Sequence, residues 1–250
     1  MNLLSDASVL YHLVVKPVRG STHAARLESF YAGQARAYDA FRQRLLQGRQ
    51  ELWQAIREPD EAVWVDLGGG TAANLEYLGD RLRGLRQAYV VDLSPSLLAV
   101  ARARVRQRGW TNVQVVEADA TTFQPAEQQA DVVTCSYALT MIPDWFAAIE
   151  NAWSMLRPGG LIGVVDFYVS RKYPADGQRR HGGWTRSCWP LWFARDNVFL
   201  SPDHLPFLQR RFEAVHCAEC RAKIPYLPLA RVPYYVFVGR KPPSRSGFPA

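Results

Sequence analysis

The sequence predicts an α/β fold built on a mostly parallel sheet with helices on both faces, and three observations carry that prediction. Short apolar runs rich in Val alternate with stretches of helical spacing from residue 62 onward. A glycine turn, VDLGGGT at 65–71, follows the first run directly. The last two runs, FEAVHCAEC and PYYVFVGRK, are separated by a proline-rich stretch too short for a crossover helix, so that pair is expected to be antiparallel. With 250 residues and 48% of them hydrophobic, the chain can bury a substantial core.

In chain order, Leu27, Phe30, Tyr31, Ala35, Tyr38, Phe41, Leu45 and Leu52 recur at helical spacing with arginines between them, which predicts helix over 23–57. The stretch EPDEA breaks it. AVWVDL reads as the first buried strand, 72–83 as a helix, and QAYVVDL as the second strand. Residues 95–108 read as a helix opened by SPS, with serine as cap and proline in the first turn. NVQVVEAD and ADVVTCSYAL are the third and fourth strands, 145–156 a helix, LRPGG a turn, and LIGVVDFYV the fifth strand. The segment 167–200 interrupts the alternation before a helix that starts near Pro202. It reads as a long functional loop, a lid, carrying Trp184, Trp189, Trp192, Phe193 and Phe199 among Arg171, Arg179, Arg180, Arg186 and Arg195. The expected division is an N-terminal helical cap at 1–58, a catalytic domain at 59–241 containing the lid, and a frayed tail at 242–250.

The glycine turn bears on function. Gly68, Gly70 and Ala73 fit a relaxed dinucleotide fingerprint, and Asp92 ends the next strand. That match alone is weak. Asp66 stands just before the glycines, where it would repel a pyrophosphate but attract a ligand bearing an ammonium and a sulfonium. Asp92 can accept both hydroxyls of a ribose, and Asp119 can receive an adenine amino group. Acidic groups at successive strand ends suit a nucleoside lying across the carboxyl edge of the sheet.

Composition bounds the rest. Thirty basic residues against 23 acidic ones give a net charge of +7, which favours an anionic partner. Four cysteines are too few for a disulfide framework, so a reducing compartment is expected. The cysteines and histidines show no convincing metal-ligand set. The N-terminus makes a poor signal peptide, and no run is long enough to span a membrane.

VDLGGGT, VVDLS, VVEADA, the stretch from DVV to Ser136, and LRPGG together resemble the class I S-adenosylmethionine-dependent methyltransferases over roughly residues 60–170. The resemblance implies that family's Rossmann-like sheet, mostly parallel with a C-terminal antiparallel strand. It also implies S-adenosylmethionine as cofactor, held by Asp66, Gly68, Gly70, Asp92, Leu93, Asp119, Ala120 and Ser136. FYAGQARAYDAFRQRLLQGR at 30–49 and the flanks of the lid further resemble the methyltransferase component of betaine lipid synthesis. That likeness implies successive trimethylation of the amino group of diacylglyceryl-homoserine, alongside a separate aminocarboxypropyl transferase. It implies a cytoplasmic protein peripheral to the inner face of the membrane.

Such chemistry is an in-line displacement that chiefly needs alignment and no metal. Tyr31, Tyr38, Tyr137, His181 and Asp196 are candidates to help an amine lose its proton. Tyr137, Tyr168, Trp184 and Trp192 are candidates for an aromatic cage around the methylated ammonium, worth ~0.5–2 kcal/mol per face. Arg195 or Arg186 could hold the substrate carboxylate. Tyr31, Tyr38, Tyr137, Trp192 and Arg195 form the preferred catalytic set. The N-terminal LLSDASVLYHLVV and the Trp/Arg-rich lid are expected to meet lipid, to pack on the sheet as a lid over the cofactor, or both. Rival readings are another lipid, a quinone or a small amine as acceptor, a non-enzymatic partner subunit, and a dehydrogenase. A nucleic-acid acceptor is disfavoured, because the stretch after the fourth strand reads SYALTM and no basic recognition helix is evident.

Overall fold

A computed structural model describes residues 20–31, 45–195, 197–224 and 227–243. The order of elements is α1 (His23–Tyr31), α2 (Arg49–Ala55), β1 (Val63–Leu67), a 3-10 segment (Ala73–Gly84), β2 (Gln87–Asp92), α3 (Pro95–Arg108), β3 (Val113–Glu117) and β4 (Ala130–Ser136). A short 3-10 turn (Leu139–Met141), α4 (Trp145–Met155), β5 (Leu156–Phe167), α5 (Gly183–Ala194), α6 (His204–Arg211), β6 (Glu213–Ile224) and β7 (Leu227–Arg240) follow.

The strands form one seven-stranded sheet in the order β3-β2-β1-β4-β5-β7-β6. Strands β1 to β5 are parallel, while β7 runs antiparallel to both β5 and β6. This is the mostly parallel α/β sheet, with its antiparallel edge, expected from the sequence. Side-chain alternation splits the core in two. Trp64, Val90, Val132 and Val236 pack with α2, the 3-10 segment and α3 on one face. Val65, Val91, Val133 and Phe237 pack with α4 and α6 on the other. Central β1 is buried along its whole length, which is why it reads as an unbroken apolar run.

Local signals explain the boundaries. Ser94 caps α3 by accepting from the Leu97 amide, Pro95 occupies the first turn, and Gly109 closes the helix at φ 64°. Arg81 binds the carbonyls of Trp53 and Ile56 at the end of α2 and pairs with Glu58.

Four expectations need correction. The pattern over 23–57 is not one helix, because Gly48 stands before α2 at φ 82°. A side chain there would also meet the Tyr234 ring at 2.5 Å. The helix expected at 72–83 is 3-10 and kinked at Gly79 (φ 56°, ψ −129°). The lid contains a three-turn helix, α5. Finally, the proline-rich stretch between the last two strands is itself paired: Arg221 faces Pro233 and Lys223 faces Arg231, so the hairpin is longer than expected.

Candidate cofactor and acceptor site

A cavity of about 250 Å³ opens at the carboxyl ends of the parallel strands. Gly68 of the glycine turn, Val91 and Asp92 at the end of β2, Leu93, Ala118 to Thr121 after β3, and Tyr137, Ala138 and Met141 to Asp144 after β4 line it, and Leu27 from α1 also faces it. Thus α1 contributes directly to the site. It is held there by Glu28, whose carboxylate accepts from the hydroxyls of Ser94 (2.8 Å) and Ser96 (3.1 Å) and from the Ser96 amide (3.3 Å). A carboxylate at the start of α3 is favoured by the helix dipole.

Among the described residues the cavity wall carries Asp92, Asp119 and Asp144 and no basic residue. Asp92 is fixed by the Ser94 amide (2.9 Å) on one oxygen and the Gly70 amide (3.0 Å) on the other. Asp119 accepts from the amide and hydroxyl of Thr121, both at 2.8 Å, and sits at the exposed rim. Asp144 caps α4 through the Ala147 amide. Leu93 and Ala120 supply apolar surface beside these acids.

The glycine turn is shaped by contact. Gly68 has φ 68°, and a methyl group on it would lie 2.5 Å from the Ala138 Cβ, so only glycine lets the two loops meet. The amides of Gly68 and Gly69 both donate to the Val91 carbonyl, at 2.8 and 3.0 Å. The turn is therefore tied to β2, and Gly70 positions Asp92. Beside it lies a small polar recess lined by Arg49, Gly68, Gly69, Thr71, Ala73, Asn74 and Ser136. The Ser136 hydroxyl is buried and has no hydrogen-bond partner among the described residues.

Asp66 lies under the turn and not on the cavity wall. Its fully buried carboxylate accepts from the Thr134 hydroxyl (2.7 Å) and the Asn74 amide (3.2 Å). Burial pushes its pKa up to about 6, against the lowering effect of those two bonds. Asn74 lines the recess, so Asp66 fixes one side of the recess through Asn74. Asp166, at the end of β5, is likewise buried and pushed up to about 7 by desolvation, opposed by bonds from Thr140. It accepts from the amide and hydroxyl of Thr140 and so holds the turn that leads to Met141 in the cavity wall.

Of the aromatic candidates whose side chains are described, only Tyr137 lines the cavity. It sits at φ 53°, an unusual backbone for a bulky residue. Its hydroxyl donates to the Gln47 carbonyl at 2.6 Å, and burial drives its pKa well up, so the phenol keeps its proton near neutrality. Tyr168 is turned to Glu219, and His181 is buried with Nδ1 accepting from the Ser170 amide. Trp184 and Trp192 lie exposed on α5, Arg195 is exposed at its end, and Arg186 is partly buried within it. Tyr38 and Asp196 lie outside the described residues, as does the side chain of Tyr31, whose backbone ends α1. Sequence reasoning missed Leu27, Ala138, Met141 and Asp144. Asp144 carried a readable signal, standing one residue before the helix predicted at 145.

An acidic cavity without a basic group among the described residues favours a cation over a phosphate. Residues 65–160 match the methyltransferase domain family. Over that stretch the chain is similar to methyltransferase domains, and S-adenosylmethionine is the cofactor that such enzymes use. The ubiquinone/menaquinone biosynthesis C-methyltransferase UbiE of Shewanella frigidimarina is 28% identical over 167 residues, covering 62% of this chain and 64% of that protein. The chain thus spans just under two thirds of that relative's length. Among solved structures, the chain superposes on the YcgJ protein of Bacillus subtilis with TM-score 0.62 at 13% identity, covering 78% of this chain and 98% of that one. Phosphoethanolamine N-methyltransferase 2 of Haemonchus contortus gives TM-score 0.62 at 14% identity, with 85% and 59% covered. At these identities the structures speak for the fold.

The cofactor fits the residues present. The glycine contact with Ala138 leaves room where any larger residue would intrude, Asp92 presents a fixed carboxylate, and the buried Ser136 hydroxyl offers an unmatched polar group. Among the described residues no group of three or more His, Cys, Asp or Glu is placed to hold a metal.

Proposed function

We propose that the protein is an S-adenosylmethionine-dependent N-methyltransferase whose acceptor is the amino headgroup of a membrane lipid, diacylglyceryl-homoserine, converted by successive transfers to its trimethylated betaine. The observation that supports this reading best is the cavity wall: three aspartates and an aromatic ring, with no basic residue. Such a wall suits both a cationic cofactor and an acceptor that becomes a quaternary ammonium. The likeness of 30–49 and of the lid flanks to the betaine lipid enzymes supports the choice of lipid.

When bound, the cofactor supplies an already activated methyl group on a sulfonium. The chain's own contribution is placement. Asp92 would take the ribose hydroxyls, Asp119 the adenine edge, and Leu93 and Ala120 the faces of the base. The recess lined by Arg49, Asn74 and Ser136 would take the amino-acid end, with Asp66 holding Asn74 from below. Tyr137, Met141 and Ile142 would exclude water on the acceptor side. No histidine or lysine lines this cavity among the described residues. The amine would accordingly release its proton to a rim carboxylate or to water as it docks.

A second reading, methylation of a quinone ring carbon, is favoured by the names of the curated relatives. Incubating the purified chain with S-adenosylmethionine and either diacylglyceryl-homoserine or a demethylated quinone, then weighing the products, separates the two. A gain of three methyls on the lipid supports the first reading; methylation of the quinone alone replaces it.

A further inference from the structure

The outer face of α5 is a surface without a covering partner among the described residues. Trp184 is 81% exposed, Leu191 74% and Trp192 50%. At 100° per residue, Trp184, Leu191 and Arg195 lie on one side of the helix, opposite buried Phe193. The helix is therefore apolar on two faces. Its inner face joins the core through Phe193, whose ring lies 5.0 Å from Phe167. The outer face buries against nothing among the described residues. Large exposed apolar side chains grouped in this way mark an interaction site.

We infer that this face docks the protein on an anionic lipid surface. Charge selects the occupant. The segment 170–200 carries six basic residues, Arg171, Lys172, Arg179, Arg180, Arg186 and Arg195, against Asp176 and Asp196. Among the described residues, Lys172, Arg179, Arg180 and Arg195 are exposed, and Tyr173 is 74% exposed beside the first and third of these. Indoles at the level of the headgroups with arginines on phosphates are the composition that holds a helix in a bilayer interface. A second copy of the chain is a poorer fit, because a two-fold contact would set one basic segment 170–200 against another of the same sign.

The docking face sits at the edge of the molecule that holds the cavity. Phe193 packs on Phe167, Phe167 lies 4.6 Å from the Tyr137 ring, and Tyr137 lines the cavity. The exit of the insertion is tied there as well, since the Phe199 amide donates to the Thr140 carbonyl at 2.7 Å. A bilayer beneath α5 thus lies against the same carboxyl edge from which an acceptor would enter.

The test is co-sedimentation of the full chain with vesicles of phosphatidylcholine plus phosphatidylglycerol, and with phosphatidylcholine alone. These vesicles contain no methyl acceptor, so the outcome is independent of the acceptor proposed above. The expected result is binding to the anionic vesicles that weakens with salt. Replacing Trp184→Ser and Leu191→Ser together should weaken it by about a hundredfold, roughly tenfold for each apolar side chain withdrawn from the interface. Unchanged S-adenosylmethionine affinity in calorimetry shows that the double variant is folded. Should it not fold, quenching of wild-type tryptophan fluorescence by brominated lipid reports the contact without a substitution, since Trp184 and Trp192 are the tryptophans exposed by half or more among the described residues. Absence of vesicle binding, full binding by the folded double variant, or self-association that the double variant abolishes would each overturn the inference.

Discussion

Replacing Asp66→Asn should flatten the pH dependence of stability. In the folded chain this carboxyl titrates at about 6 against an ordinary value of 3.8, and burial is the main cause. A pKa raised on folding means the native state holds its proton more tightly than the unfolded state. The group's contribution is then complete below the unfolded value and is lost as pH rises through the folded one. With this shift, going from about pH 4.5 to about pH 7.5 removes roughly 2 kcal/mol of unfolding free energy through Asp66 alone. The amide side chain of the variant cannot ionise, so the variant should lose about 2 kcal/mol less than wild type over that interval. The comparison cancels any constant offset from the rearranged bond to Asn74, because only the change with pH is read. Asp166 contributes its own decline to both proteins. Urea unfolding of the cofactor-free protein, followed by tryptophan fluorescence at the two pH values, measures the difference. Parallel pH profiles for wild type and variant would show that Asp66 is already ionised in the fold at low pH, and the account of its burial would fail.

Three further outcomes are expected. Gly68→Ala places a methyl 2.5 Å from Ala138 at φ 68° and should cost about 1–2 kcal/mol of stability and more than about tenfold in S-adenosylmethionine affinity; near wild-type calorimetry would show that the two loops separate readily. Asp92→Ala removes the acceptor of the Gly70 and Ser94 amides, so cofactor binding should disappear, and a retained dissociation constant would refute the ribose assignment. Tyr137→Phe deletes the bond to the Gln47 carbonyl, worth about 1 kcal/mol in thermal unfolding, while methyl transfer stays within about threefold. A loss of about a thousandfold in rate would instead give the hydroxyl a proton-transfer role.

The parts of the fold legible in the sequence were those set by local chemistry. The Ser94–Pro95 opening and Gly109 close of α3 are complete signals within one helix, and the buried strands announce themselves as β-branched runs. α5 was not legible for a physical reason. Gly182, Gly183 and Pro190 read as loop residues, and a helix apolar on both faces has no amphipathic period to detect. The break at Gly48 was hidden because periodicity continues across it, and its cause, the Tyr234 ring, lies far away in the chain. In the site, strand-end acids could be found by position, but the direction each carboxylate faces could not. Asp66 turns under the glycine loop because Thr134 on β4 and Asn74 on the 3-10 segment offer donors there, and neither pairing is visible from spacing.

Asp66 and Asp166 also show how the cavity keeps its shape. They end the strands on either side of β4, each wholly buried, and each holds a loop that the cavity needs. Asp66 fixes Asn74 in the recess, and Asp166 fixes Thr140 in the turn before Met141. Apolar residues would pack these positions at lower electrostatic cost, yet they could not accept from Thr134, Asn74 and Thr140. The raised pKa of both groups measures that cost, since an ionised carboxylate stripped of water is tolerated only where its bonds offset burial. The same bonds hold both loops against the ends of β1 and β5, which is what a nucleoside lying across the sheet requires. Stability and site geometry are therefore in opposition at these two residues, and the opposition sharpens as pH rises through the titration of both groups.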